Sequence, residues 1–161
     1  NDERRWMMAA LQRKNFLSDV KTRYARILIR KLQNRRLITF CGSIAQAESL
    51  GAKLALHSKL SKEKQTSVLT EYLNGTTNNI FVKGMLKEGI NIPGIEAGII
   101  IQLDNNTLNF VQKLGRSLRS DSPEQYVLYV KNTQDSKYVD TALEGFNMEY
   151  VKFIDFKNFQ K

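Results

Sequence analysis

The chain has 161 residues, 42% of them hydrophobic, which is enough for one domain with its own core. A single cysteine, Cys41, excludes an internal disulfide, and with a single histidine, His57, no zinc site of the Cys/His type can form, so no metal is expected to be held by this chain alone. The net charge of +9 is unevenly placed: residues 1–36 carry eleven Lys/Arg against three acids, a net of +8, and the remainder is close to neutral at +1.

No apolar run approaches the roughly 20 residues that span a bilayer, and the start NDERRWMMAALQRKNF lacks a signal-peptide pattern, so an intracellular protein with no membrane partner is expected. Residues 3–33 read as one or two amphipathic helices, with Leu17, Val20, Tyr24, Ile27, Leu28 and Leu32 at three- and four-residue steps. This basic segment, residues 1–36, is separated here from a domain of residues 37–161. Its charge suits either phosphate neutralisation or a solvated helix face.

Residues 37–41 form a buried-strand candidate, and Ser43 an N-cap for a helix through about Leu54. His57 ends a second short strand. Ser61 caps a helix over 62–73, closed by Asn74-Gly75. Strands follow at 79–82 and, as the central one, at 98–103 (GIIIQL), short and β-branched as buried parallel strands are. A helix over 107–118, a strand over 125–130 and a mostly helical stretch over 133–146 complete the pattern. The tail YVKFIDFKNF suits an edge strand or irregular structure. Alternation at this spacing predicts an α/β domain with a mainly parallel sheet, helices on both faces and right-handed crossovers. Ligands then gather at the carboxyl ends of the strands, after Cys41, His57, Val82 and Leu103.

The segment Gln112-Lys113-Leu114-Gly115-Arg116-Ser117-Leu118-Arg119 places two arginines three residues apart, on one side of a helical turn. Such a pair suits a triphosphate, or surface ion pairs. QKLGRSLR resembles the Q-R-x-G-R-x-x-R motif VI of superfamily 2 helicases. Upstream, Leu86-Lys87-Glu88-Gly89-Ile90-Asn91-Ile92-Pro93 is similar to motif V, L-x-E-G-I-D-I-P. ITFCGSIAQAESLGAKL resembles the motif IV strand and helix, and HSKLSKEKQTSVLTEYLNGT the family's H-x-x-L segment. Residues 37 to about 131 thus resemble, in order, the second RecA-like lobe of such a motor, closest in wording to DNA repair, recombination and phage-type helicases.

The resemblance implies that Arg116 and Arg119 are arginine fingers for ATP held by a first lobe. It implies that Gln112 faces the same cleft, and that Glu88, Gly89 and Asn91 lie near the nucleotide. It implies that Ser43, Lys83 and Gly84 contact nucleic-acid phosphate, with DNA favoured over RNA. Read without it, Gly89 allows a turn, Pro93 ends an element, Ser43 is a cap, His57 is strand-end structure and Cys41 is core. Asn91 stands where the family has aspartate, and Lys113 where it has arginine, which loses bidentate geometry.

The sequence contains no G-x-x-x-x-G-K-[ST] loop and no D-E-x-[HD] box, so the β- and γ-phosphates of ATP and its Mg2+ would be held by a first lobe, expected N-terminal in the same polypeptide. This chain alone is then not expected to hydrolyse ATP. The alternative is a non-enzymatic module that binds nucleic acid or protein and has kept the lobe's shape.

Overall fold

Two of the inner strands, Leu37–Phe40 and Ala97–Ile100, are buried on both sides, and the alternation of their residues decides which helix meets which face. The computed structural model describes residues 2–84, 94–116 and 123–159, without the side chains of 106 and 112–116. Strands β1 (Leu37–Phe40), β2 (Ala55–His57), β3 (Asn79–Lys83), β4 (Ala97–Ile100) and β5 (Glu124–Val127) form one sheet in the order β2-β3-β1-β4-β5. Every neighbouring pair is parallel. The helices are α1 (Asp2–Lys31), α2 (Ile44–Gly51), α3 (Lys62–Leu73), α4 (Asn105–Arg116), α5 (Gln134–Ala142) and α6 (Phe156–Phe159).

Leu37, Cys41, Phe81, Ile99 and Ile101 point to one face, where they pack with Ala25, Leu28 and Leu32 of the α1 segment and Ala47 of α2. Ile38, Phe40, Ile80, Val82 and Ile100 point to the other, against Tyr72 of α3, Val111 of α4 and Val139 and Ala142 of α5. The path from β1 out to β2 uses α2 on the first face, whereas those from β2 back to β3 and from β4 to β5 use α3 and α4 on the second. Reversing direction together with face keeps one crossover hand, as twisted strands demand. The expected RecA-like α/β architecture, with helices on both faces, is the one observed.

Several boundaries differ from the expectations. The helix expected to run to Leu54 stops at Gly51 because Ala52 turns left-handed, at φ 46°, with its N–H on the Glu48 carbonyl, and a short 3-10 turn follows. The central strand stops at Ile100, although Ile101, Gln102 and Leu103 stay buried. β5 begins at Glu124 and ends at Val127, three residues short of the expected 130. The helix expected over 133–146 is capped by Thr133 and ends at Ala142. The tail is no edge strand: it forms a 3-10 turn, Met148–Tyr150, and α6, whose Phe156 meets Tyr24 edge-on at 4.8 Å.

The basic N-terminal segment is a single helix with two different halves. From Ser18 onward its stripe of Ser18, Lys21, Ala25 and Leu28 is buried, while residues 2–13 are all exposed, Trp6, Met7, Met8 and Leu11 included. Arg35 and Arg36 tie the amino ends of the strands, through Arg35 Nη1 to Glu124 Oε2 at 2.6 Å and Arg36 N–H to Glu96 Oε2 at 2.7 Å. Arg36 also stacks on the Tyr72 ring at 4.5 Å and donates to the Tyr72 carbonyl at 2.7 Å. No helix among the described residues is long and apolar enough to cross a membrane.

Candidate nucleic-acid interface

Parallel pairing brings the carboxyl ends of all five strands to one edge. His57 is in register with Lys83, Phe40 with Val82 and Ile100, and Ile100 with Val127. The chain leaves β1 through Cys41 and Gly42 into Ser43, whose hydroxyl accepts the Gln46 N–H at 3.0 Å and so caps α2. Gly42 is required by close approach: a Cβ there would lie 2.1 Å from Ser18 Oγ and 3.0 Å from Gln102 Cβ. β3 ends on Lys83, and Gly84 follows with φ 71°, a left-handed turn with no described residue within 4 Å of where a Cβ would stand. Ser43, Lys83 and Gly84, which the sequence reading singles out, therefore share this edge.

After β4, Asp104 caps α4 reciprocally with Thr107. Its Oδ1 accepts the Thr107 N–H at 2.9 Å, and the Thr107 hydroxyl accepts the Asp104 N–H at 2.7 Å. The same carboxylate faces Lys83 Nζ at 3.5 Å and Lys14 Nζ of α1 at 3.9 Å. Burial opposes ionisation of Asp104, but the Thr107 hydrogen bonds and the two lysine charges together hold it below the usual carboxylate range. Burial likewise draws Lys14 below the usual lysine range, with the Asp104 charge opposing and the Lys83 charge adding to the shift. Burial pushes the Cys41 thiol up to about 12 despite the nearby Lys83 charge, so it is a protonated core group.

Behind the edge lies a buried polar network that sequence reasoning did not find. Lys21 donates to Asp135 Oδ2 and Gln102 Oε1, both at 2.8 Å, and to the Leu128 carbonyl at 3.3 Å. Three acceptors match the three N–H groups of an ammonium. Burial lowers the Lys21 pKa, the hydrogen bond and charge of Asp135 opposing it. Alongside, Gln46 Oε1 accepts from Gly42 N–H at 2.7 Å and from Ser18 Oγ at 3.1 Å, while its Nε2 donates to the Ser18 carbonyl and Thr22 Oγ1, both at 2.9 Å. These bonds fix α1 to the turn that presents Ser43. The D-N-N-T string at 104–107 was the one readable signal for Asp104, as a capping pattern. His57 is structural: buried, with Nε2 2.9 Å from Glu48 Oε1.

Of the nucleotide-side candidates, Gln112 and Arg116 lie on the backbone of α4, whose side chains there are outside the described residues, while Glu88, Gly89, Asn91 and Arg119 lie outside them altogether. Among the described residues no group of three or more His, Cys, Asp and Glu could hold a metal ion.

The fold is a RecA-like α/β lobe with capped helix starts, Lys83 and Gly84 on the carboxyl edge of its sheet, the edge where open α/β sheets gather their ligands. The helicase conserved C-terminal domain model matches residues 20–121, and the chain belongs to that family. Among curated relatives, "ATP-dependent RNA helicase cgh-1" of Caenorhabditis elegans is 28% identical over 100 residues, covering 57% of this chain and 23% of that protein. The chain thus corresponds to about a quarter of that relative's length. Among solved structures it is similar to the C-terminal domain of Saccharomyces cerevisiae Dbp5, at TM-score 0.66 and 14% identity over 89% of this chain and 87% of that one. It is also similar to "Mss116p DEAD-box helicase domain 2 bound to an RNA duplex", at TM-score 0.59 and 14% identity over 88% of this chain and 58% of that one.

These findings correct the closer resemblance to DNA repair and phage-type helicases, and with it the preference for DNA. That preference rested on the wording of one short segment, residues 86–93, whereas similarity over 100 residues leads to relatives named as RNA helicases.

Proposed function

We propose that this chain is the second motor lobe of an ATP-dependent RNA helicase, forming part of the RNA track and supplying guanidinium groups to ATP held by another lobe. The observation that carries this reading is the family match over residues 20–121, which encloses Ser43, Lys83, Gly84, Gln112, Arg116 and Arg119 in one helicase domain. The names of the relatives support RNA as the ligand. The carboxyl edge offers phosphate the Ser43 hydroxyl, the amino end of α2 and the Lys83 ammonium.

Arg116 and Arg119, three apart, suit the equatorial oxygens of a γ-phosphate, and Gln112, one turn earlier on α4, joins nucleotide to strand. Glu88, Gly89 and Asn91 serve the nucleotide in the same reading. Mg2+ would be held with the β- and γ-phosphates by the first lobe, because this chain lacks a phosphate loop. Bound between the lobes, ATP supplies the free energy that draws them together.

The direct check is binding of a fluorescein-labelled RNA duplex by the 161-residue chain, followed by anisotropy across a salt series. The expected result is saturable binding that weakens steeply with salt, and weakens further in Lys83→Gln. Absence of RNA binding at low salt contradicts the reading.

A further inference from the structure

The edge and the interior behind it contain two lysine–carboxylate arrangements of opposite kinds. Lys21 and Asp135 are 2.8 Å apart and nearly inaccessible, with side-chain exposures of 4% and 3%, and Lys21 uses all three N–H groups internally. At Asp104 the contacts are long, 3.5 Å from Lys83 and 3.9 Å from Lys14, where a short charge-assisted bond would lie near 2.7–2.9 Å. Both ammoniums share Oδ2, while Oδ1 is engaged by Thr107. The two lysine side chains are 29% and 28% exposed.

Among the described residues, one carboxylate and two ammoniums leave one positive charge. Gly84 follows Lys83, with no described residue within 4 Å of where a Cβ would stand, and one phosphodiester neutralises the charge. The first half of α1 continues past this point: Lys14 lies four residues before Ser18, the first buried residue of the helix, and residues 2–13 project beyond the edge, carrying Arg4, Arg5 and Arg13.

We propose that Lys14 and Lys83 form a phosphate-binding pair for an RNA strand, so that the exposed half of α1 extends the strand track beyond the sheet. The inference rests on the RNA reading above. A phosphate oxygen placed between the ammoniums accepts a short bond from each, and Asp104, held by its cap, keeps the two lysines converged when no strand is bound. Lys14 acts as a binding residue contributed by a helix outside the four helicase segments recognised in the sequence.

The experiment measures an oligouridylate binding to the wild-type chain and to Lys14→Gln, Lys14→Arg and Arg30→Gln across a salt series, with each variant's thermal melt recorded. Arg30→Gln removes the same charge from an exposed position near the far end of α1. A single-strand phosphate contact contributes about 0.7 to the salt slope, so Lys14→Gln should lose roughly fivefold in affinity at about 0.1 M salt. Its slope should fall accordingly, Lys14→Arg should recover it, and Arg30→Gln should keep the wild-type slope. Equal slopes for Lys14→Gln and wild type, or equal losses in Lys14→Gln and Arg30→Gln, overturn the proposal and leave the RNA reading standing. A wild-type chain that binds no oligouridylate removes both.

Discussion

Gly42 shows how a single residue can tie the helix face to the ligand edge. Its missing side chain lets Ser18 of α1 and Gln102 after β4 close on the same turn, with Gln46 accepting from both Ser18 and Gly42. A methyl group there meets Ser18 Oγ and Cβ at 2.1 and 2.9 Å. Ser18 is too short to swing aside, so helix or turn must move. Gly42→Ala is expected to destabilise the chain by about 1–3 kcal/mol, as overpacking does. A urea melt reads this, as a lower midpoint with unchanged m-value. The sequence suggested a turn and a cap at Gly42-Ser43, and the cap is there. It did not suggest Lys21, which reads as one more exposed cation on a basic helix. Its partner Asp135 is 114 residues away, and no local pattern couples them.

At the scale of elements, the strands and the helices α2 to α5 were legible because each carries its own signal: a continuous apolar run, or a cap followed by apolar positions at helical spacing. Ser43, Ser61 and Thr133 each accept a backbone N–H at the start of their helix. The ends were less legible, because contacts from elsewhere set them. α2 stops where Gly51 lies against Phe81, a Cβ there falling 2.3 Å from that ring. α1 was legible as a helix but not in its division, since its apolar and basic residues continue along both halves and only the position of the sheet decides which half is covered. Removing residues 2–12 should therefore leave the thermal melt nearly unchanged. Removing residues 2–31 takes Ala25 and Leu28 out of the core, a loss on the order of several kcal/mol against total stabilities of about 5–15. That shorter chain should show no cooperative melt by circular dichroism; a normal melt would mean that α1 is dispensable to the fold.

For the molecule as a whole, the charge concentrated in residues 1–36 divides by function once placed on the fold. Arg35 and Arg36 join strands at the amino edge, Lys21 is locked in the interior, and Lys14 stands at the carboxyl edge beside Lys83. Basicity alone therefore overstates the charge open to a phosphate ligand. The family was legible from four ordered segments, whereas the ligand preference drawn from one of them was not, because eight residues of wording weigh less than a hundred of similarity. Whether the proposed lobe completes an ATP site held elsewhere is read by RNA-stimulated ATP turnover in a polypeptide carrying both lobes, with Arg116→Ala and Arg119→Ala introduced singly. Each variant is expected to lose turnover by roughly 1,000-fold or more, as arginine fingers do, while ATP binding is retained. Wild-type turnover in both variants would contradict the proposed role.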